Sequence, residues 1–105
     1  MDMTPEEVAE RRLDDSIQLV DVREGYEWEA GRIPGARHVP LGELTAAAET
    51  IERERPVVFV CRVGGRSTLA AQAFRRAGFE AYSLAGGVLA WDARGLPFEG
   101  AVAAH

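Results

Sequence analysis

The segment Cys61-Arg62-Val63-Gly64-Gly65-Arg66-Ser67 places the chain's only thiol beside two arginines, two glycines and a hydroxyl. A thiolate rather than a thiol is the nucleophile, and nearby positive charge and backbone N–H groups favour it. Gly64 and Gly65 allow the backbone to curl, so that successive amides face a common centre and form an anion nest. Arg62 and Arg66 add full charges, and Ser67 is placed to cap the following helix and to donate to an anion. The same groups would hold an anionic substrate, so the pattern points to covalent catalysis by Cys61. The alternative is a buried cysteine that acts as a small hydrophobe. Such a residue is not normally followed by an arginine- and glycine-rich turn into a helix.

A cysteine–histidine pair would be another way to activate the thiol. The two histidines are badly placed for it: His38 ends a strand and reads as a structural hydrogen-bonding residue, and His105 lies in a tail expected to be loose. The loop amides and arginines are therefore the expected activators. One cysteine and two histidines do not make a ligand set with zinc spacing, and no metal or cofactor is expected. All twelve basic residues are arginines, which excludes Schiff-base chemistry on a lysine. A single cysteine cannot form an intramolecular disulfide, which suits a reducing compartment. The net charge of −5 argues against a general binder of nucleic acid or anionic membrane. The N-terminus is acidic and polar, without an apolar leader, so the expected location is the cytoplasm.

The elements that must position Cys61 are legible as an alternation of strands and helices. Thr4-Pro5-Glu6-Glu7 is a helix start with a capping box, and the helical spacing runs to about Leu13. Ile17 to Val22 reads as a strand, Glu24 to Ala30 as a short helix, and Ala36 to Val39 as a short strand. Leu41, Leu44, Ala48 and Ile51 mark a helix from about 41 to 53. Val57-Val58-Phe59-Val60 is a continuous apolar run, the signature of a strand buried on both faces. A helix over Ser67 to Ala77 follows the Cys61 loop, with Leu69, Ala70, Ala73, Phe74 and Ala77 expected on one face. Glu80 to Leu84 is a further strand, and Gly86-Gly87 opens a last helix to about Ala93. The tail from Arg94 is expected to be irregular and Ala101 to His105 disordered. The alternation implies an α/β fold over residues 1–105, one domain with a mostly parallel sheet and helices on both faces. Active sites in such sheets form beyond the carboxyl ends of the strands, where Cys61 falls.

With these residues in place, the chain resembles the rhodanese family of sulfurtransferases in its single-domain form. Asp21-Val22-Arg23-Glu24 resembles that family's motif after the second strand, and Gly31-Arg32-Ile33-Pro34-Gly35-Ala36 its glycine–histidine–isoleucine–proline–glycine–alanine turn, with Arg32 in place of the histidine. Cys61 to Ser67 resembles its active-site loop; Leu84-Ala85-Gly86-Gly87, Trp91 and Gly95-Leu96-Pro97 resemble its C-terminal signature. The resemblance implies about five strands, with a very short first strand near Met3. It implies that Cys61 takes the outer sulfur of thiosulfate or a related small anionic donor as a persulfide. The amides of Arg62, Val63, Gly64, Gly65, Arg66 and Ser67 would stabilise the persulfide, and Arg62 and Arg66 would attract the donor. Cyanide in an assay, a cellular thiol or a thioredoxin-like protein would then accept the sulfur. Asp21 and Arg23 are expected to order the strand ends, and Trp28 and Trp91 to pack. Two other functions are compatible with the fold. One is a phosphatase or arsenate reductase, whose loop carries one more residue than the four between Cys61 and Arg66. The other is a non-catalytic interaction module.

Overall fold

The fold, seen in a computed structural model that describes residues 1–104, centres on the apolar run before Cys61. This strand, β5 (Val57–Val60), is flanked by β2 (Gln18–Asp21) and β6 (Ala81–Leu84). The short strands β1 (Asp2–Met3) and β4 (Arg37–His38) close the two edges, giving the order β1-β6-β5-β2-β4 with every pairing parallel. All five strands therefore end at the same side of the sheet.

Side-chain alternation along β5 explains why it is central. Val57, Phe59 and Cys61 face one apolar cluster, which contains Val20, Leu44, Ile51, Ala70, Ala71 and Phe74. Val58 and Val60 face the other, with Val8, Ile33, Leu84, Val88 and Trp91. All four β5 side chains are buried, and each contributes about 1.5–3 kcal/mol by leaving water. Around the sheet lie α1 (Pro5–Arg11), α2 (Gly25–Ala30), α3 (Leu44–Ala47), α4 (Gly65–Arg76) and α5 (Gly87–Ala93). The α1 capping box forms as expected: Glu7 N–H donates to Thr4 Oγ1 and Thr4 N–H to Glu7 Oε1, both at 3.1 Å.

Several boundaries differ from the sequence expectations. The helix expected over 41–53 is broken into α3 and two flanking 3-10 turns, Leu41–Glu43 and Ala48–Thr50. The buried stripe of α4 is Ser67, Ala70, Ala71 and Phe74, whereas Leu69, Ala73 and Ala77 face solvent. Alanine has little hydrophobic pull of its own, so Phe74 sets the rotation of the helix. The tail also carries more structure than expected. Strand β7 (Glu99–Gly100) pairs antiparallel with β3 (Gly31–Arg32), forming a ribbon apart from the main sheet. Beyond it, Ala101 N–H donates to Ala30 O and Val102 packs against the second cluster. Of the segment expected to be disordered, residues 101–104 are thus placed; His105 lies outside the described residues. Among the described residues, no helix is long and apolar enough to cross a membrane.

Candidate active site

Cys61 is the first residue after β5, at the carboxyl ends of the strands. Its side chain is 1% exposed and turned toward the start of α4. Its Sγ accepts from Gly64 N–H at 3.0 Å and Ser67 N–H at 3.4 Å, and lies 3.3 Å from Ser67 Oγ. Backbone donors of this kind stabilise a negative sulfur, and the positive end of the twelve-residue α4 adds to them. Gly64 makes the turn possible: its φ of +123° is one that residues with a side chain rarely adopt.

Two details of the loop differ from the expectations. Gly65 does not share the left-handed backbone of Gly64; it is the first residue of α4, and a side chain there would meet open space. Ser67 is not the N-cap, a position taken by Gly64, but the third residue of the helix. Its hydroxyl donates back to Gly64 O at 3.2 Å and lies 2.7 Å from Ser83 Oγ on β6. Arg66 is paired with a carboxylate. Its Nη1 and Nη2 donate to the two carboxylate oxygens of Glu27 at 2.7 and 2.9 Å.

Arg62 reaches the rim, where its Nε donates to Ala103 O at 2.9 Å. Val63 is 56% exposed at the loop's tip. The loop is held from behind by α5: Val88 N–H donates to Cys61 O at 2.9 Å and Leu89 N–H to Arg62 O at 3.0 Å. Gly87 allows this approach, since a Cβ there would stand 2.3 Å from Arg62 O.

Glu27 was not among the expected site residues. It lies on α2, is 2% exposed, and also accepts from Glu24 N–H through Oε1 at 3.0 Å. The hydrogen bonds from Arg66 hold its carboxyl below the usual carboxylate range, and Glu27 in turn raises the guanidinium of Arg66. Ser83 was missed as well. The available signals were a Glu24-x-x-Glu27 capping box and a serine within the largely apolar strand β6.

Asp21 and Arg23 form a fully buried ion pair, Nη2 to Oδ2 at 2.9 Å, and Arg23 Nη2 also donates to Gly31 O at 2.7 Å. This pair ties the end of β2 to β3. His38 bonds Arg23 O through Nε2 at 2.7 Å and stacks on Trp28, with centroids 4.9 Å apart. Trp91 is fully buried and donates to Pro97 O at 2.7 Å. Arg32 donates to Trp28 O at 2.7 Å and lies over the Trp28 ring. Among the described residues, no three His, Cys, Asp or Glu side chains converge to hold a metal.

This frame of a cysteine loop between a central parallel strand and a helix start coincides with a known family. The family model for the rhodanese-like domain matches residues 4–94, and the chain belongs to that family. It is 34% identical over 84 residues to YtwF of Bacillus subtilis (strain 168), covering 80% of this chain and 82% of the relative. It is also 34% identical over 94 residues to the protein named Sulfurtransferase of Allochromatium vinosum, covering 88% of each. Other curated relatives are longer, the chain spanning 62%, 36% and 47% of three of them. Among solved structures, the rhodanese-related protein of Thermoplasma volcanium superposes with a TM-score of 0.86 at 25% identity, over 92% of this chain and 95% of that one.

Proposed function

We propose that the protein is a sulfurtransferase that carries sulfane sulfur as a persulfide on Cys61. The observation that carries this reading is the pair of amides, Gly64 and Ser67, converging on Cys61 Sγ at the start of α4. The name of the Allochromatium relative supports it. Cys61 attacks the outer sulfur of thiosulfate or a related donor, and sulfite or its counterpart leaves with the electron pair of the broken S–S bond. The loop from Arg62 through Val63, Gly64, Gly65 and Arg66 to Ser67 surrounds the persulfide so formed.

No second cysteine exists to resolve the persulfide, so discharge goes to an external thiophile. Cyanide serves in an assay; a small thiol or a thioredoxin-like protein serves in a reducing compartment such as the cytoplasm. No cofactor is required. A phosphoryl group would ask more of the loop. It brings three charged oxygens, each needing donors, while both terminal nitrogens of Arg66 are committed to Glu27.

Thiosulfate:cyanide sulfur transfer by the purified protein and by Cys61→Ser tests the reading. The native protein is expected to turn over. The Cys61→Ser protein is expected to keep its fold and to lose transfer by at least about a thousandfold, as a missing covalent nucleophile requires. Comparable transfer by both proteins would exclude a covalent role for Cys61.

A further inference from the structure

Two of the three arginines near Cys61 are paired with carboxylates. The two segments that meet there, residues 21–27 and 61–67, carry Arg23, Arg62 and Arg66 against Asp21, Glu24 and Glu27. Arg23 is paired with Asp21, and Arg66 with Glu27. Arg62 alone is bonded to a backbone carbonyl rather than a carboxylate. The 2% exposure of Glu27 fixes its charge beside Arg66, away from the screening of bulk water. Exposed apolar side chains also accompany these segments: Tyr26, Val63 and Leu89 are 59%, 56% and 42% exposed. Tyr26 adjoins Glu27 in the chain, Val63 is in the loop, and Leu89 donates its N–H to the carbonyl of Arg62.

Resting on the sulfurtransferase reading, we infer that Glu27 is a specificity-determining residue for the donor. Its carboxylate cancels Arg66 and disfavours a dianion such as thiosulfate, relative to a singly charged donor bearing a carbon group. Organic thiosulfonates and organic persulfides form that class, and exposed Tyr26 and Val63 offer their carbon group apolar surface. The step is balanced without an external oxidant. The Cys61 thiolate attacks the outer sulfur and a new S–S bond forms. The donor's S–S bond breaks, and its electron pair leaves on a sulfinate from a thiosulfonate or on a thiolate from a persulfide.

The experiment compares kcat/KM for thiosulfate and for benzenethiosulfonate in the native protein, Glu27→Gln and Glu27→Asp. The Gln side chain keeps the shape and the contact to Glu24 N–H but removes the charge. The ratio of thiosulfate to benzenethiosulfonate efficiency is expected to rise about tenfold in Glu27→Gln and to stay near native in Glu27→Asp. An unchanged ratio in a folded Glu27→Gln protein, both donors slowing equally, would reduce Glu27 to a structural role and overturn the inference. The native protein supplies an independent check should Glu27→Gln fail to fold. Its kcat/KM is expected to be higher for benzenethiosulfonate than for thiosulfate; a clear preference for thiosulfate would overturn the inference. Intact-mass spectra separate the two levels. Sulfur adducts on Cys61 from both donors with no shift in ratio defeat the inference alone, whereas no adduct from either defeats the sulfurtransferase reading with it.

Discussion

Arg66 and Arg62 look equivalent in the sequence and differ in the structure by what holds them. Arg66 closes a bidentate pair on a buried carboxylate, whereas Arg62 lies on a backbone carbonyl at the rim. Arg66→Ala leaves Glu27 buried without its partner and is expected to cost about 1–2 kcal/mol in urea unfolding, the side chain being one-third exposed. Arg62→Ala is expected to stay within about 0.5 kcal/mol of native, as surface changes do. Equal costs would contradict the assignment. Glu27 makes a pH prediction of definite sign. Its carboxyl is depressed in the folded state, mainly by the hydrogen bonds from Arg66. Its contribution to stability is therefore complete above the unfolded value, about 4.3, and is lost as pH falls through the lower folded value. Urea midpoints at pH 7 and pH 3 are expected to differ more for the native protein than for Glu27→Gln; an equal drop in both would remove Glu27 from the account. Cys61, Gly64 and Ser67 were legible because their types stand side by side in one loop. Glu27 was not, because an acidic residue on a short helix reads as a solvated charge and its partner is 39 residues away.

Two helices build the loop, and they were legible to different degrees. The start of α4 supplies the donors to Cys61 Sγ; the start of α5 clamps the carbonyls of Cys61 and Arg62. Gly87 is where α5 and the loop come closest, with a φ of +61°. Gly87→Ala is expected to destabilise by about 2–4 kcal/mol, from the left-handed backbone and the overlap with Arg62 O. It is also expected to depress turnover in the fraction that remains folded. Native thermal stability and activity in this variant would show that α5 does not support the loop. The sequence exposed β5 clearly, since four consecutive apolar residues after Pro56 suit a strand buried on both faces. It exposed α4 less well, because an alanine-rich helix does not mark which side faces the core. The region 41–53 kept a helical spacing without forming one long helix. Strand β7 offered no signal, being two exposed residues whose pairing depends on the distant β3.

The topology explains why so small a chain can hold a buried, hydrogen-bonded thiol. Every strand of the main sheet runs in one direction, so β2, β4, β5 and β6 bring Asp21, His38, Val60 and Leu84 to one edge, around Cys61. The alternation of strands and helices made this parallel sheet legible, and with it the side on which the site falls. The C-terminal tail was illegible because its contacts are all with distant segments: β7 with β3, Ala101 with Ala30 and Ala103 with Arg62. The groups that reach the sulfur itself are the amides of Gly64 and Ser67 and the Ser67 hydroxyl. The most direct measurement is the intact mass of the protein after exposure to excess thiosulfate, followed by cyanide. A gain of one sulfur atom is expected, located on Cys61, absent from Cys61→Ser and removed by cyanide. Turnover of thiosulfate with the mass of the protein unchanged throughout would contradict it.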